Sequence, residues 1–138
     1  MEPKIYYNNV KFRLKKTGEI KNWIKKVIRS EGKEPGDLSF IFADEENMLK
    51  MNIKYLGHDY NTDVITFDYS KDDFIEGEIY IGIDTIRKNA KKYKVTLRNE
   101  VKRVMVHGVL HMLGYEDKNE EQRKLMKERE DYHIGEIK

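Results

Sequence analysis

Val64-Ile-Thr-Phe-Asp-Tyr-Ser-Lys-Asp-Asp-Phe-Ile-Glu-Gly-Glu-Ile-Tyr-Ile-Gly-Ile83 is the stretch on which the fold class turns. Val64–Tyr69 is β-branched and aromatic, and Gly77–Ile83 alternates Ile79, Ile81 and Ile83, the period of a strand buried on one face. Lys71-Asp-Asp73 supplies the turn between them, so the two strands pair antiparallel. In the first strand Ile65, Phe67 and Tyr69 share one face, which reads as the buried one, while Val64, Thr66 and Asp68 share the other. Phe67 and Tyr69 are also of the kind that stacks on unpaired bases.

Outward from this pair the hydrophobic period becomes helical. Upstream, Ile20, Trp23, Ile24, Val27 and Ile28 mark a helix over 17–30 with Lys21, Lys25, Lys26 and Arg29 on its other face. The segment Gly32–Gly36 breaks the chain before a strand over 38–43, and Ile5–Val10 reads as a first strand. Asp44 caps a helix carrying Met48, Leu49 and Ile53 to about Lys54, followed by a polar loop over 55–63. Downstream, Asp84 is expected to cap a helix to about Tyr93, Thr96 one to about Leu113, and a charged helix follows over 119–132 with Leu125, Met126 and Tyr132 as its apolar anchors. The sum is an α+β fold in a single domain, residues 1–138: a small mixed β-sheet of about four strands packed with helices.

Composition narrows the function classes. The chain has no cysteine, which removes disulfides, zinc-thiolate sites and thiol nucleophiles. No stretch approaches the roughly 20 apolar residues of a membrane span, and the start has no apolar leader, so the expectation is a cytoplasmic protein with no membrane partner. Net charge is only +2, yet residues 1–33 hold ten basic and three acidic side chains, 34–84 three and thirteen, and 85–104 eight and one. Two basic blocks flank an acidic one. Either they coat the polar faces of helices, or the fold gathers them into a basic approach for a polyanion.

Chemistry concentrates in Val106-His107-Gly-Val-Leu-His111-Met-Leu-Gly114-Tyr-Glu-Asp117. His107 and His111, four apart on a central helix, project from one face, close enough to share a metal ion. Gly114 ends that helix, and a left-handed glycine permits the reversal that returns Asp117 as a third ligand. Two imidazoles and a carboxylate leave one position of a tetrahedral Zn2+ open for water, as at a catalytic site. The competing reading, two buried histidines hydrogen-bonded to backbone, explains neither Gly114 nor Asp117. The same spacing occurs in metzincin proteases, where glutamate follows the first histidine as general base. Here that residue is Gly108, which argues against peptide hydrolysis.

On these residues the chain resembles the YbeY family of bacterial rRNA maturation factors, whose signature is H-G-x-L-H-x-x-G-Y-D-H. Both histidines, Gly108, Leu110, Gly114 and Tyr115 match, as do Asn52, Tyr55, Asp59, Thr62, Val64 and Phe67 upstream, and Gly77-Glu-Ile79 matches with Glu for Asp. The resemblance spans roughly residues 35–132. It implies a zinc-dependent, single-strand-specific endoribonuclease with one Zn2+ per chain held by His107, His111 and Asp117. It further implies rRNA of the small ribosomal subunit as substrate, with ribosome assembly proteins as possible partners. The family's third ligand is histidine; Asp117 lowers the site's positive charge by one unit and weakens water activation. The family's Arg after the matched Tyr is Leu56 here, and its Lys two further on is His58, leaving His58, Lys54 or Arg103 as the cation for the phosphate. Glu78 and His58 are the expected catalytic side chains beside the metal, and Arg98, Lys102 and Arg103, on the metal-bearing helix, the expected RNA contacts. The alternatives are a non-catalytic RNA-binding assembly factor with a structural metal and, less favoured, a metalloprotease.

Overall fold

The computed structural model describes residues 1–57 and 62–137, with the elements β1 (Lys4–Asn8), α1 (Thr17–Ser30), β2 (Glu34–Ala43), α2 (Glu45–Met51), β3 (Val64–Asp68), β4 (Phe74–Gly82), α3 (Ile83–Tyr93), α4 (Leu97–Met112) and α5 (Glu120–Gly135). The sheet order is β1-β2-β4-β3. β1 and β4 run parallel to β2, and β3 runs antiparallel to β4 with Val64 opposite Ile81 and Phe67 opposite Glu78, so the sheet is mixed.

Alternation divides the sheet into two faces. The inner face carries Phe40, Phe42, Ile79 and Ile81 into the main core, where α1 adds Ile20, Ile24 and Val27, α3 adds Ile86, and α4 adds Val101, Met105 and Val109. On the outer face a smaller cluster joins Ala43 and Ile65 to Met48 of α2, with Phe67 and Tyr80 packed at its edge. Ile65 is buried and Phe67 partly so, but Val64 on the opposite face packs against the main core, so β3 is covered on both sides, whereas Tyr69 lies beyond the strand and is 63% exposed. No helix among the described residues is long and apolar enough to cross a membrane.

Two local expectations are corrected. β2 begins at Glu34 rather than 38, because Pro35 and Gly36 are absorbed in a register irregularity of the β2–β4 ladder instead of breaking the chain. A Cβ on Gly36 would lie 2.4 Å from the stem of Glu76, so only glycine admits that close approach. Asp84 does not cap its own helix. α3 starts after Gly82, and the Asp84 carboxylate instead accepts from the Glu45 N–H at 3.1 Å, beside Asp44, which accepts from Asn47 N–H at 3.1 Å. Both carboxylates thus serve the N-terminus of α2, where the dipole favours negative charge. α2 itself continues beyond Met51 as one π-helical turn, Asn52–Leu56, closed by Gly57.

Candidate metal centre

α4 is positioned by its ends and by its apolar face. The Thr96 hydroxyl accepts from the Asn99 N–H at 3.0 Å, and Val101, Val104, Met105, Val109 and Leu110 are buried against the sheet. Gly108 faces inward: a Cβ there would lie 3.0 Å from Ile79, so glycine lets the helix close on β4. At the far end Gly114 has φ 104°, its N–H bonds the His111 carbonyl at 3.0 Å, and the Tyr115 N–H bonds the Leu110 carbonyl at 3.0 Å, the Schellman pattern that reverses the chain. Tyr115 then donates its hydroxyl to Glu31 at 2.5 Å, and Arg129 bonds the other oxygen of Glu31 at 2.9 Å, tying the reversal to α1 and α5.

The reversal returns Asp117 to the histidines. His107 Nε2 and His111 Nε2 are 3.0 Å apart, and Asp117 Oδ2 lies 3.5 Å from the first and 3.3 Å from the second. Ligands held at ~2.0–2.1 Å in a tetrahedral zinc shell are about 3.3 Å from one another, so the three atoms have the spacing such an ion needs. All three side chains are partly exposed, which leaves access for water. Among the described residues these form the one group of His and carboxylate ligands with metal-binding spacing.

Behind His107 stands Glu130 of α5, 7% exposed. His107 Nδ1 donates to its Oε2 at 2.6 Å, which fixes the ring and leaves Nε2 as the ligating nitrogen. Arg103 donates to the other Glu130 oxygen at 2.9 Å and to Asp131 at 2.6 Å, so Glu130 is clamped between a cation and an imidazole. Burial disfavours a charged His107 imidazole, but the Glu130 hydrogen bond and the charges of Glu130, Asp117 and Asp63 outweigh it and hold its pKa above the ordinary value. Next to this assembly opens a cleft of about 570 Å³ between α4 and α5, reached by Asp63, Glu100, Arg123 and Lys127.

The expected RNA contacts separate once the helix is built. At 100° per residue, Arg98 is about half a turn round α4 from His107 and Lys102 about 140° away, so neither faces the site. Arg98 instead donates to the Lys15 carbonyl at 2.7 Å, and Lys102 lies beside Arg98. Arg103 does line the cleft, but its guanidinium is spent on Glu130 and Asp131. Glu78 is displaced further. It follows Gly77 on the face shared with Tyr80, and burial followed by the Glu78 charge raises the Tyr80 pKa, whereas its neighbour Ile79 is the residue that meets Gly108. The sheet therefore lies between Glu78 and the imidazoles, and the structure does not bring the two together. Lys54 sits over the Tyr55 ring, which packs on Phe67 of the outer face. His58 and Asp59 lie outside the described residues.

Sequence reasoning missed three side chains of the cleft. Glu130 has nothing in sequence to distinguish it from Glu120, Glu121 or Glu128 on the same charged helix. Arg123 is exposed, lines the cleft, and among the described residues reaches the Asp117 carbonyl, at 3.4 Å. Glu100, the lone acid in a basic block, is buried at 7% exposure.

The profile of the family described as Endoribonuclease YbeY matches residues 5–138. The chain belongs to the YbeY family. It is 46% identical to the Endoribonuclease YbeY of Flavobacterium psychrophilum over 88% of this chain and 87% of that one. With the Endoribonuclease YbeY of Christiangramia forsetii it shares 40% over 94% and 91%. The solution structure of the Thermotoga maritima protein TM1509 superposes with a TM-score of 0.65 and 25% identity, covering 97% of this chain and 87% of that one. Membership of a family of endoribonucleases, hydrolytic enzymes, replaces the metalloprotease alternative. Geometry agrees, since the Gly108 position points at Ile79 and not at the metal, so a glutamate there would be driven into the core.

Proposed function

We propose that this YbeY protein is a zinc-dependent endoribonuclease that cuts single-stranded rRNA of the small ribosomal subunit during ribosome assembly in the cytoplasm. The observation that carries the reading is the convergence of His107 Nε2, His111 Nε2 and Asp117 Oδ2 at mutual distances of 3.0 to 3.5 Å beside an open cleft. When bound, the zinc supplies a water whose pKa falls toward about 7 and a Lewis-acid contact for a phosphate oxygen. His107, His111 and Asp117 hold it. Glu130 keeps the His107 ring in the ligating tautomer, and Arg103 holds Glu130 in place. Arg123, exposed and without a carboxylate partner among the described residues, stands at the Asp117 side of the cleft as the cation for a phosphate.

Protein purified without added metal is expected to carry about one zinc per chain and to cut an unstructured RNA. Asp117→Ala should lose the zinc, and His111→Ala should lose the cleavage. Intact RNA after incubation with zinc-loaded wild type sinks the nuclease reading. One observation favours a second reading, a non-catalytic assembly factor with a structural metal: the position of the family's arginine is Leu56, 47% exposed at the end of the π-helical turn. That reading predicts that ribosome association survives His111→Ala and that no RNA is cut by wild type.

A further inference from the structure

Glu100 is the residue of the cleft that the metal chemistry does not use. It lies one turn of α4 before Arg103 and about two turns before His107, within about 20° of His107 round the helix. Its side chain is 7% exposed and lines the cleft, yet its carboxyl accepts no hydrogen bond from any described residue. Arg103, the nearest cation, is engaged by Glu130 and Asp131, and Asp63 and Glu130 add like charge. Burial, then those like charges, push the Glu100 pKa up despite Arg103, the condition of a carboxylate short of donors. Its oxygens still reach the cleft, so a ligand there can supply the donors that the described residues do not.

The rest of the cleft describes that ligand. Tyr93, the last residue of α3, and Val95, in the connection to α4, are 59% and 38% exposed and form an apolar wall of the same cleft. Asn99 offers an amide next to Glu100. A volume of about 570 Å³ is within the range of sites that hold a small planar ligand. The ligand therefore needs a flat face for Tyr93, at least two adjacent N–H donors for an acceptor-only carboxylate, and a carbonyl for Asn99. Among the RNA bases guanine alone has this edge, with N1–H beside the 2-amino group and O6 next to them. Adenine and cytosine set an acceptor nitrogen beside their amine, and uracil offers one N–H between two carbonyls.

We propose that the cleft between α4 and α5 is a guanine-binding subsite next to the metal centre, in which Glu100 accepts N1–H and the 2-amino group, Asn99 meets O6, and Tyr93 stacks on the ring. The subsite rests on the reading that RNA is the substrate, and gives the cut a base preference at a nucleotide flanking the scissile phosphate.

Nucleoside 5′-monophosphates test it, since they have no internal phosphodiester and survive in the presence of the intact, zinc-bound protein. Titrations followed by amide NMR shifts should show guanosine monophosphate binding about tenfold tighter than the adenosine, cytidine or uridine forms, the scale of one good bidentate contact. Inosine monophosphate, which lacks the 2-amino group, should fall between. Glu100→Leu should flatten the series and at the same time raise the melting temperature, because it removes a largely desolvated carboxyl that sits among the like charges of Asp63 and Glu130. Equal binding of all five nucleotides, a preference that persists in Glu100→Leu, or a lost preference accompanied by a lower melting temperature each overturns the subsite. Failure of the nuclease reading is seen elsewhere, as uncut RNA with zinc-loaded wild type, and leaves these titrations interpretable on their own.

Discussion

The hydrogen bond from His107 Nδ1 to Glu130 is short and half-buried, and it joins a candidate ligand on α4 to a carboxylate on α5. Removing such a support releases the ring and lowers its basicity, and typically weakens metal binding about 10- to 100-fold. Glu130→Ala is therefore expected to lose about that much zinc affinity in competition with a chromophoric chelator. Glu130→Gln, which still accepts from Nδ1 but gives up the ion pair with Arg103, should lose less. Equal affinity in all three proteins would show that the contact does not tune the metal. At this scale the ligands themselves were legible, because His107, His111, Gly114 and Asp117 are set by helix periodicity and one chain reversal. Glu130 was not, because its partner depends on how α5 lies across α4, and no local spacing encodes that. Arg103 was read as an RNA contact for the same reason: its position on the helix is correct, but its two carboxylate partners come from α5.

The approach of α4 to the sheet depends on Gly108. Alanine is worth about 1 kcal/mol more than glycine in a helix, but a methyl group there meets Ile79 at 3.0 Å in a packed core. Ile79 is fully buried and cannot yield freely, so Gly108→Ala should be net destabilising by about 1–3 kcal/mol in urea unfolding. A stabilised variant would mean that the helix shifts without cost. At the start of α2, burial opposes ionisation of Asp44, but bonds from the Asn47 N–H and the Asn9 amide prevail and hold its pKa below the ordinary value. Asp44→Ala should cost about 1 kcal/mol at neutral pH. Since the folded pKa is depressed, that contribution is present above the unfolded pKa of about 3.9 and fades as pH falls through the folded value. The stability gap between wild type and variant, followed by denaturant unfolding at pH 7 and pH 3, should accordingly narrow. α1, with its clear apolar stripe, and α4, which adds the Thr96 cap, were legible to within a residue. The start of β2 was not, because Pro35 and Gly36 read as a break when they are accommodated by an irregular ladder, and Asp84 caps a helix distant in sequence.

Taken as one object, the molecule does not gather its basic blocks around the metal. Arg98 and Lys102 face away from the cleft, and the cations that line it are Arg103 and Lys127, both paired with carboxylates of α5, and Arg123. Arg123 together with Lys127, whose exposed pair with Asp131 an incoming phosphate can replace, gives two contacts and a slope of log K against log salt of only about −1.4 on a single strand. RNA binding measured from low to moderate salt should therefore weaken gently. A slope near −5 would place the lysines of α1 in the interface after all. Neither the net charge nor the block pattern beneath it identifies the RNA contacts, for one reason: side-chain pairing on the folded surface decides which charges remain available to a polyanion. The Gly114 reversal has a consequence of another kind. It packs all three ligands into residues 107–117, so in a chain made from its N-terminus the whole donor set emerges at once, while the carboxylate that orients His107 follows only with Glu130 on the last helix. An ion bound there would meet its three donors early and be held more firmly once α5 docks, which would make metal retention a report on whether the final helix has found its place.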